Sequence, residues 1–383
     1  MDDITDKKTP RKSPGAPFFL VSMTFYLLVV HMTSLMTLPN SPSGGPTHAY
    51  PDTWTWLSTF LDRLAGDSAT QCAWVALPIL WGCMVCVFLL TRVLVPGPPW
   101  LGSLSGTFLM AHPAKTEVLF SPLGLYYLLA TLTALAALLA YVHLRKYGGW
   151  KRYALATLLY SLAVFPFTLN ATLFGLLLLV EFMCGEAEER NWLRLVPLLV
   201  LTMISNGLRI GTLYSGLPTP DSILSPLFLV LYPIGLLPET QNHLAASPGE
   251  AWLWGIFTVA CMVVLFALVN SKPLRLSLLA ILFFRLYPGA LPIDLVTLDG
   301  AGQLLLPIAL AGIGLAALSA WLMHFETWAQ PTVSLTTILC FMLFILQFQA
   351  NRNFVQSTDD AEITVTSKDV PRPPLHLNSG SRP

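Results

Sequence analysis

Long apolar runs separated by short polar breaks organise this chain. The clearest are Phe18 to Leu38, Cys72 to Val95, Leu119 to Leu144, Ala251 to Val269 and Gly302 to Met323. Each approaches or exceeds the roughly 20 residues that carry a helix across a hydrocarbon core. Shorter or proline-broken apolar runs lie between them. Only helices or closed barrels satisfy the backbone in lipid. These runs are too long and too uniformly apolar for barrel strands. The pattern therefore predicts an all-α, polytopic integral membrane helix bundle of about eleven transmembrane helices. They fall near 18–38, 72–95, 99–111, 119–144, 150–165, 168–184, 194–208, 251–270, 274–288, 302–323 and 331–349.

Other stretches depart from that pattern. Ile223 to Leu237 is apolar but carries Pro226 and Pro233, with Pro238 next to it, and reads as interfacial or re-entrant. Residues 1–17 are polar and mixed in charge, which predicts a cytoplasmic tail. The first apolar run lacks a convincing cleavage site and reads as a retained signal-anchor helix. The bundle is expected to occupy 18–350. Residues 351–383, with Pro371, Pro373, Pro374 and Pro383, read as a disordered extracytoplasmic tail. No internal repeat is visible.

Composition agrees with the pattern. Hydrophobic residues make up 54% and charged residues 11%, against about 25% charged in soluble domains. A net charge of zero gives no reason to expect a nucleic-acid partner. The six cysteines fall almost wholly within apolar segments and form neither a disulfide framework nor a zinc pattern. Cys83 and Cys86 make a C-x-x-C inside a predicted helix, where small packing residues are the simpler reading.

Charge orients the bundle. With a cytoplasmic N-terminus, the inner segments hold Lys7, Lys8, Arg11, Lys12 and Arg92, then Arg145, Lys146, Lys151 and Arg152. Arg190, Arg194, Lys272 and Arg275 complete that side. The outer loops between helices hold Arg63, Lys115 and Arg209. This asymmetry follows the positive-inside rule, and an odd number of spans puts the C-terminus outside. The outer face is acidic, with Asp52, Asp62, Asp67, Glu117, Asp221, Glu239, Glu250, Asp294 and Asp299. It also carries the two longest loops, about 39–71 and 209–250, and long loops are often functional.

Ionisable groups near apolar segments are the candidates for chemistry. Asp52, in HAYPDTWTW, is suited to act as a general base or to help hold a divalent cation. The simpler reading is a solvated acid beside interfacial tryptophans. His112, Lys115 and Glu117, in AHPAKTEVLF, combine phosphate-binding and proton-moving groups at an outer boundary. Snorkelling polar residues would look the same. Arg285, in LFFRLYPG, offers a planar guanidinium for a lipid-carrier phosphate, or for a buried acid. Glu181, at the inner end of LLLLVEFMCGEAEER, reads as structural. Asn170-Ala-Thr172 fits a glycosylation acceptor by pattern but sits in a tight turn. No ligand cluster marks a metal cofactor.

From Pro99 to Arg209 the chain resembles a known family. HPAKTEVLF is followed by LYYLLATLTALAALLAYVHL, RKYGGWKRY, FPFTLNATLFGLLLLVEF and, after a charged loop, LRLVPLLVLTMI. SPLFLVLYPIGLLPE extends the likeness more weakly. In order and spacing this is similar to the membrane portion of the transmembrane O-mannosyltransferases that bear tetratricopeptide repeats. Those belong to the GT-C superfamily of polyprenyl-phosphate-sugar glycosyltransferases. His112, Pro113 and Glu117 match the family's boundary motif, with Lys115 in place of its second histidine. Ser121-Pro-Leu-Gly stands where the family commonly has Arg-Lys-Asp. Val164-Phe-Pro166 stands for its Ser-Lys-Pro, and Ala301-Gly-Gln303 for a Glu-Arg pair. No repeats follow the last predicted helix.

The resemblance implies a GT-C-like glycosyltransferase in the lipid bilayer, using a polyprenyl-phosphate-linked sugar on the extracytoplasmic face. Asp52 or Glu117 would be the catalytic base. His112, Lys115 and Arg285 would bind the donor phosphate. The lost charged positions fit an alternative, a catalytically inactive scaffold or subunit of a membrane complex. A lipid-linked substrate transporter is a third reading, opposed by the scarcity of midplane charge. The short loops lean towards a bacterial inner membrane, with the endoplasmic reticulum membrane as the alternative.

Overall fold

The computed structural model describes residues 21–25, 27, 28, 31, 55–65, 69–112, 118–167, 173–184, 192–207, 248–286 and 304–369. Within them the chain is all-helical and contains no strand. The helices are α1 (Thr55–Ala65), α2 (Ala69–Leu94), α3 (Trp100–Ala111), α4 (Pro122–Tyr147), α5 (Trp150–Val164) and α6 (Leu173–Cys184). They continue with α7 (Val196–Gly207), α8 (Pro248–Leu268), α9 (Lys272–Leu286), α10 (Leu305–Leu322) and α11 (Glu326–Asp369). A 3₁₀ turn at Trp192–Arg194 precedes α7. Each helix expected between 72 and 349 has a counterpart. α1 is a helix that the apolar runs do not mark. α11 continues past residue 350 to Asp369. The apolar segment 223–237, the turn at 168–172 and the tail 1–17 lie outside the described residues.

Among the described residues, four helices are long and apolar enough to cross a membrane: Thr70–Leu94, Leu123–Tyr147, Leu305–Leu322 and Glu326–Ala350. α3, α6 and α7 have 12 residues each. At 1.5 Å per residue their described turns rise about 18 Å, against a hydrocarbon core about 30 Å thick.

The side chains face the wrong way for water and the right way for lipid. On α11, Leu335, Ile338, Phe341 and Phe348 are exposed while Thr332, Thr336 and Gln347 are buried. On α7, Val200, Met203 and Ile204 are exposed while Thr202 and Ser205 are buried. On α8, Val263, Val264 and Leu268 point out and Thr258 is buried. In water such helices would expose their apolar faces at a cost. In a bilayer, hydroxyls bond between helices and aliphatic side chains meet lipid tails. The fold is that of a helical membrane protein.

α10 lies at the centre, with 78% of its span buried, and α11 at the edge, with 17%. Small residues let the central helices close. A Cβ on Gly312 of α10 would sit 2.7 Å from the Ser105 carbonyl oxygen on α3. Gly102, one turn before Gly106 on α3, abuts the Phe88 ring of α2 in the same way. Beside these contacts the buried hydroxyls of Thr91 and Ser105 pair at 2.7 Å.

Register fixes the chain's direction. Tyr153 OH donates to the Arg194 carbonyl, Tyr160 pairs with Thr202, and Ser205 donates to the Val164 carbonyl. The sequence offsets are 41, 42 and 41 residues. A constant offset means that α5 and α7 run parallel, so α6 returns between them. The C-terminal turns of α4 and α6 meet, through Tyr141 and Arg145 against Val180 and Glu181. Gly148 and Gly149, at φ +62° and +96°, turn the chain from α4 into α5.

Candidate functional site

The parallel register brings the ends of several helices to one place. The C-termini of α2, α4 and α6, the 3₁₀ turn and the N-terminus of α9 enclose a cavity of about 600 Å³. Arg145, Lys146, Arg194 and Lys272 line it, with Val93, Val142, Val180 and other apolar side chains between them. This is the basic end of the bundle. Arg194 also lines an adjoining cavity of about 310 Å³, walled by Trp150, Tyr153 and Leu193.

One carboxylate organises this end. Glu181 is 2% exposed. Its Oε2 accepts a hydrogen bond from Tyr141 OH at 3.0 Å and lies 3.2 Å from Arg145 Nε. Arg145 Nη1 donates to the Val180 carbonyl at 3.2 Å. The Nε–H is not directed along a hydrogen bond, so the Nε–carboxylate contact is chiefly Coulombic. A lone buried carboxylate would be costly, and a partner with further hydrogen bonds offsets that cost. The structural role expected for Glu181 thus has a named partner, Arg145.

The opposite end has a different character. Met110, Val118, Leu119, Phe120, Tyr126, Tyr127, Phe167 and Leu305 form a buried cluster there with Leu57 and Leu61 of α1. α1 is amphipathic, burying Leu57 and Leu61 and exposing Phe60 and Leu64. It packs across α2 and α4. Gly124 is needed here, because a Cβ would overlap the Val118 carbonyl.

His112 ends α3 in extended conformation, at φ −74° and ψ 126°. It is buried, and its ring meets Phe108 edge-on at 5.8 Å. Asp52, Lys115 and Glu117 lie outside the described residues. Arg285 lies in the last turn of α9, and its side chain is outside the described set. Helical rise puts its backbone about 20 Å from Lys272, at the end of the bundle that also holds His112. Among the described residues, no three His, Cys, Asp or Glu side chains gather as for a metal ion. Cys83 and Cys86 are free thiols. Cys83 is buried, with Sγ 3.7 Å from the Leu128 carbonyl.

Each cation of the basic cavity belongs to the inner set that the charge asymmetry marks in the sequence. The available signal was the alternation of helices, which brings the turns at 145–152, 192–194 and 272–275 to the same end. No protein-family model, curated protein or solved structure matches this chain.

Proposed function

We propose that the chain is a GT-C-like glycosyltransferase that uses a polyprenyl-phosphate-linked sugar at the end of the bundle opposite the basic cavity. The observation that carries this reading is a convergence of elements. α1 begins three residues after Asp52, and Val118 directly follows Glu117. Leu57, Leu61 and Val118 belong to one buried cluster. The two acids singled out as candidate bases are therefore tethered to elements that pack together. His112 enters the same region from α3, and Arg285 ends α9 on that side.

The chemistry follows from those assignments. Asp52 or Glu117 takes the proton of an acceptor hydroxyl. The hydroxyl oxygen bonds to the sugar C1 as the C1–O bond to the carrier phosphate breaks. The phosphate keeps the electron pair, and His112, Lys115 and Arg285 stabilise its charge.

The eleven-span topology and its orientation belong to this proposal. By the positive-inside rule the basic end faces the cytoplasm and the transfer end faces out, in a bacterial inner membrane. The parallel α5/α7 register and the meeting of the α4 and α6 C-terminal turns support the alternation this requires. A second reading, a non-catalytic subunit of a membrane complex, is favoured by α11. Its span is only 17% buried, and its exposed aliphatic face suits a partner helix as well as lipid.

The test is to express Asp52→Ala and Glu117→Ala separately and to follow transfer from a labelled polyprenyl-phosphate sugar in isolated membranes. Loss of a general base lowers the rate by about 10²–10⁴-fold, with membrane abundance unchanged. Full transfer by both variants sinks the enzyme reading, and stoichiometric co-purification of another membrane subunit would then support the second.

A further inference from the structure

We infer that the basic cavity binds the phosphate headgroup of an anionic lipid, at a site separate from the proposed transfer end. The positive-inside rule accounts for cations at this end of the bundle. It does not account for four cations from α4, the 3₁₀ turn and α9 converging on one cavity of about 600 Å³. Arg145 and Arg194 are partly buried, while Lys146 and Lys272 stand exposed at the rim. The described carboxylate beside them, Glu181, is engaged by Arg145 and Tyr141.

The Glu181 pair holds Arg145 in place. Nε faces the carboxylate and Nη1 is committed to the Val180 carbonyl. A guanidinium has five N–H donors, so the side chain retains capacity for a further acceptor. Planar donors of this kind suit phosphate oxygens. The volume falls in the range of small-ligand sites and exceeds the needs of a single phosphate ion.

The wall supplies the second half of the specificity. Val93, Val142 and Val180 line the cavity together with the cations. A free phosphate has no use for an apolar wall, whereas a lipid places glycerol and the first acyl carbons beside its phosphate. Basic pockets between spanning helices at a cytoplasmic surface are suited to such headgroups. The segment 185–191, outside the described residues, carries Glu186, Glu188 and Glu189, and the experiment must separate their charge from that of a ligand.

The full-length protein, purified in zwitterionic detergent, would be incubated with phosphatidylglycerol, phosphatidylcholine or inorganic phosphate. Retained lipid would be counted by native mass spectrometry. The wild type retains phosphatidylglycerol over phosphatidylcholine, and millimolar inorganic phosphate does not displace it. R194Q/K272Q retains on the order of tenfold less. R194K/K272R, which keeps the charge, retains the lipid. R92Q/K151Q removes two cations from the same end but none from the cavity wall, and it binds as the wild type does.

Three results would overturn the proposal. Equal loss in the two charge-removing variants would mean diffuse surface attraction. Displacement by inorganic phosphate would mean that the cavity takes a free anion. Retention gained only in E186Q/E188Q/E189Q would mean that the chain's own acids occupy the cavity.

Discussion

Arg145 and Glu181 meet 3.2 Å apart across α4 and α6, and their contact ties the two helices together at the basic end. Tyr141 donates to the same carboxylate oxygen from one turn earlier on α4. Glu181→Ala leaves the guanidinium without its carboxylate. Breaking a buried pair in this way costs about 3–5 kcal/mol. Arg145 keeps 12% exposure, so the lower end of that range is expected. Thermal unfolding followed by size exclusion in detergent measures it. An Arg145→Met/Glu181→Leu double variant should recover most of the loss, because no charge remains unpaired. Tyr141→Phe should cost about 1.5 kcal/mol, as for a hydrogen bond to a charged group.

Two glycines are expected to fail for different reasons when changed to alanine. At Gly312 the added Cβ would sit 2.7 Å from the Ser105 carbonyl oxygen. The α3/α10 crossing must open, at about 1–3 kcal/mol. At Gly148 there is open space, but φ is +62°. The cost there is backbone strain of about 1–3 kcal/mol. Cysteine crosslinking between α3 and α10 distinguishes them. Gly312→Ala lowers its efficiency and Gly148→Ala leaves it unchanged.

How much of this was legible depends on the kind of signal. α2, α4 and α10 were readable because burial in lipid demands a long, uniformly apolar run. α1 was not, because its apolar surface rests on Leu57, Phe60, Leu61 and Leu64 among polar neighbours, and its partners lie on α2 and α4. Glu181 was readable as structural, since a carboxylate at the end of an apolar run needs a partner. That the partner is Arg145 required knowing that the C-terminal turns of α4 and α6 meet. The exposed faces of α7 and α11 were invisible to hydropathy alone, because mean hydropathy does not say which side is buried. Of the expected transfer residues, His112 alone has a described side chain, and it is buried.

Detaching α1 should separate activity from folding. Leu61 is fully buried in the cluster that also holds Val118. Leu61→Ala should cost about 2–5 kcal/mol locally, loosening the segment tethered to Asp52. Transfer from the labelled donor should fall at least tenfold while membrane abundance stays within twofold. A parallel fall in both would assign Leu61 to general stability.

The Thr91–Ser105 hydroxyl pair should contribute little. Hydrogen bonds between membrane helices average about 0.6 kcal/mol. Thr91→Val, on the α2/α3 crossing, is therefore expected to shift the unfolding midpoint only slightly, and much less than Gly312→Ala on the neighbouring α3/α10 crossing.

In the proposed topology the two ends of the bundle lie on opposite sides of a membrane. Single cysteines at Asp52 and Lys151, in a background without the native cysteines, test this directly with a membrane-impermeant maleimide on intact cells. The expected result is labelling of Asp52→Cys from outside, and of Lys151→Cys only after permeabilisation. Labelling of both from the same side would contradict the account.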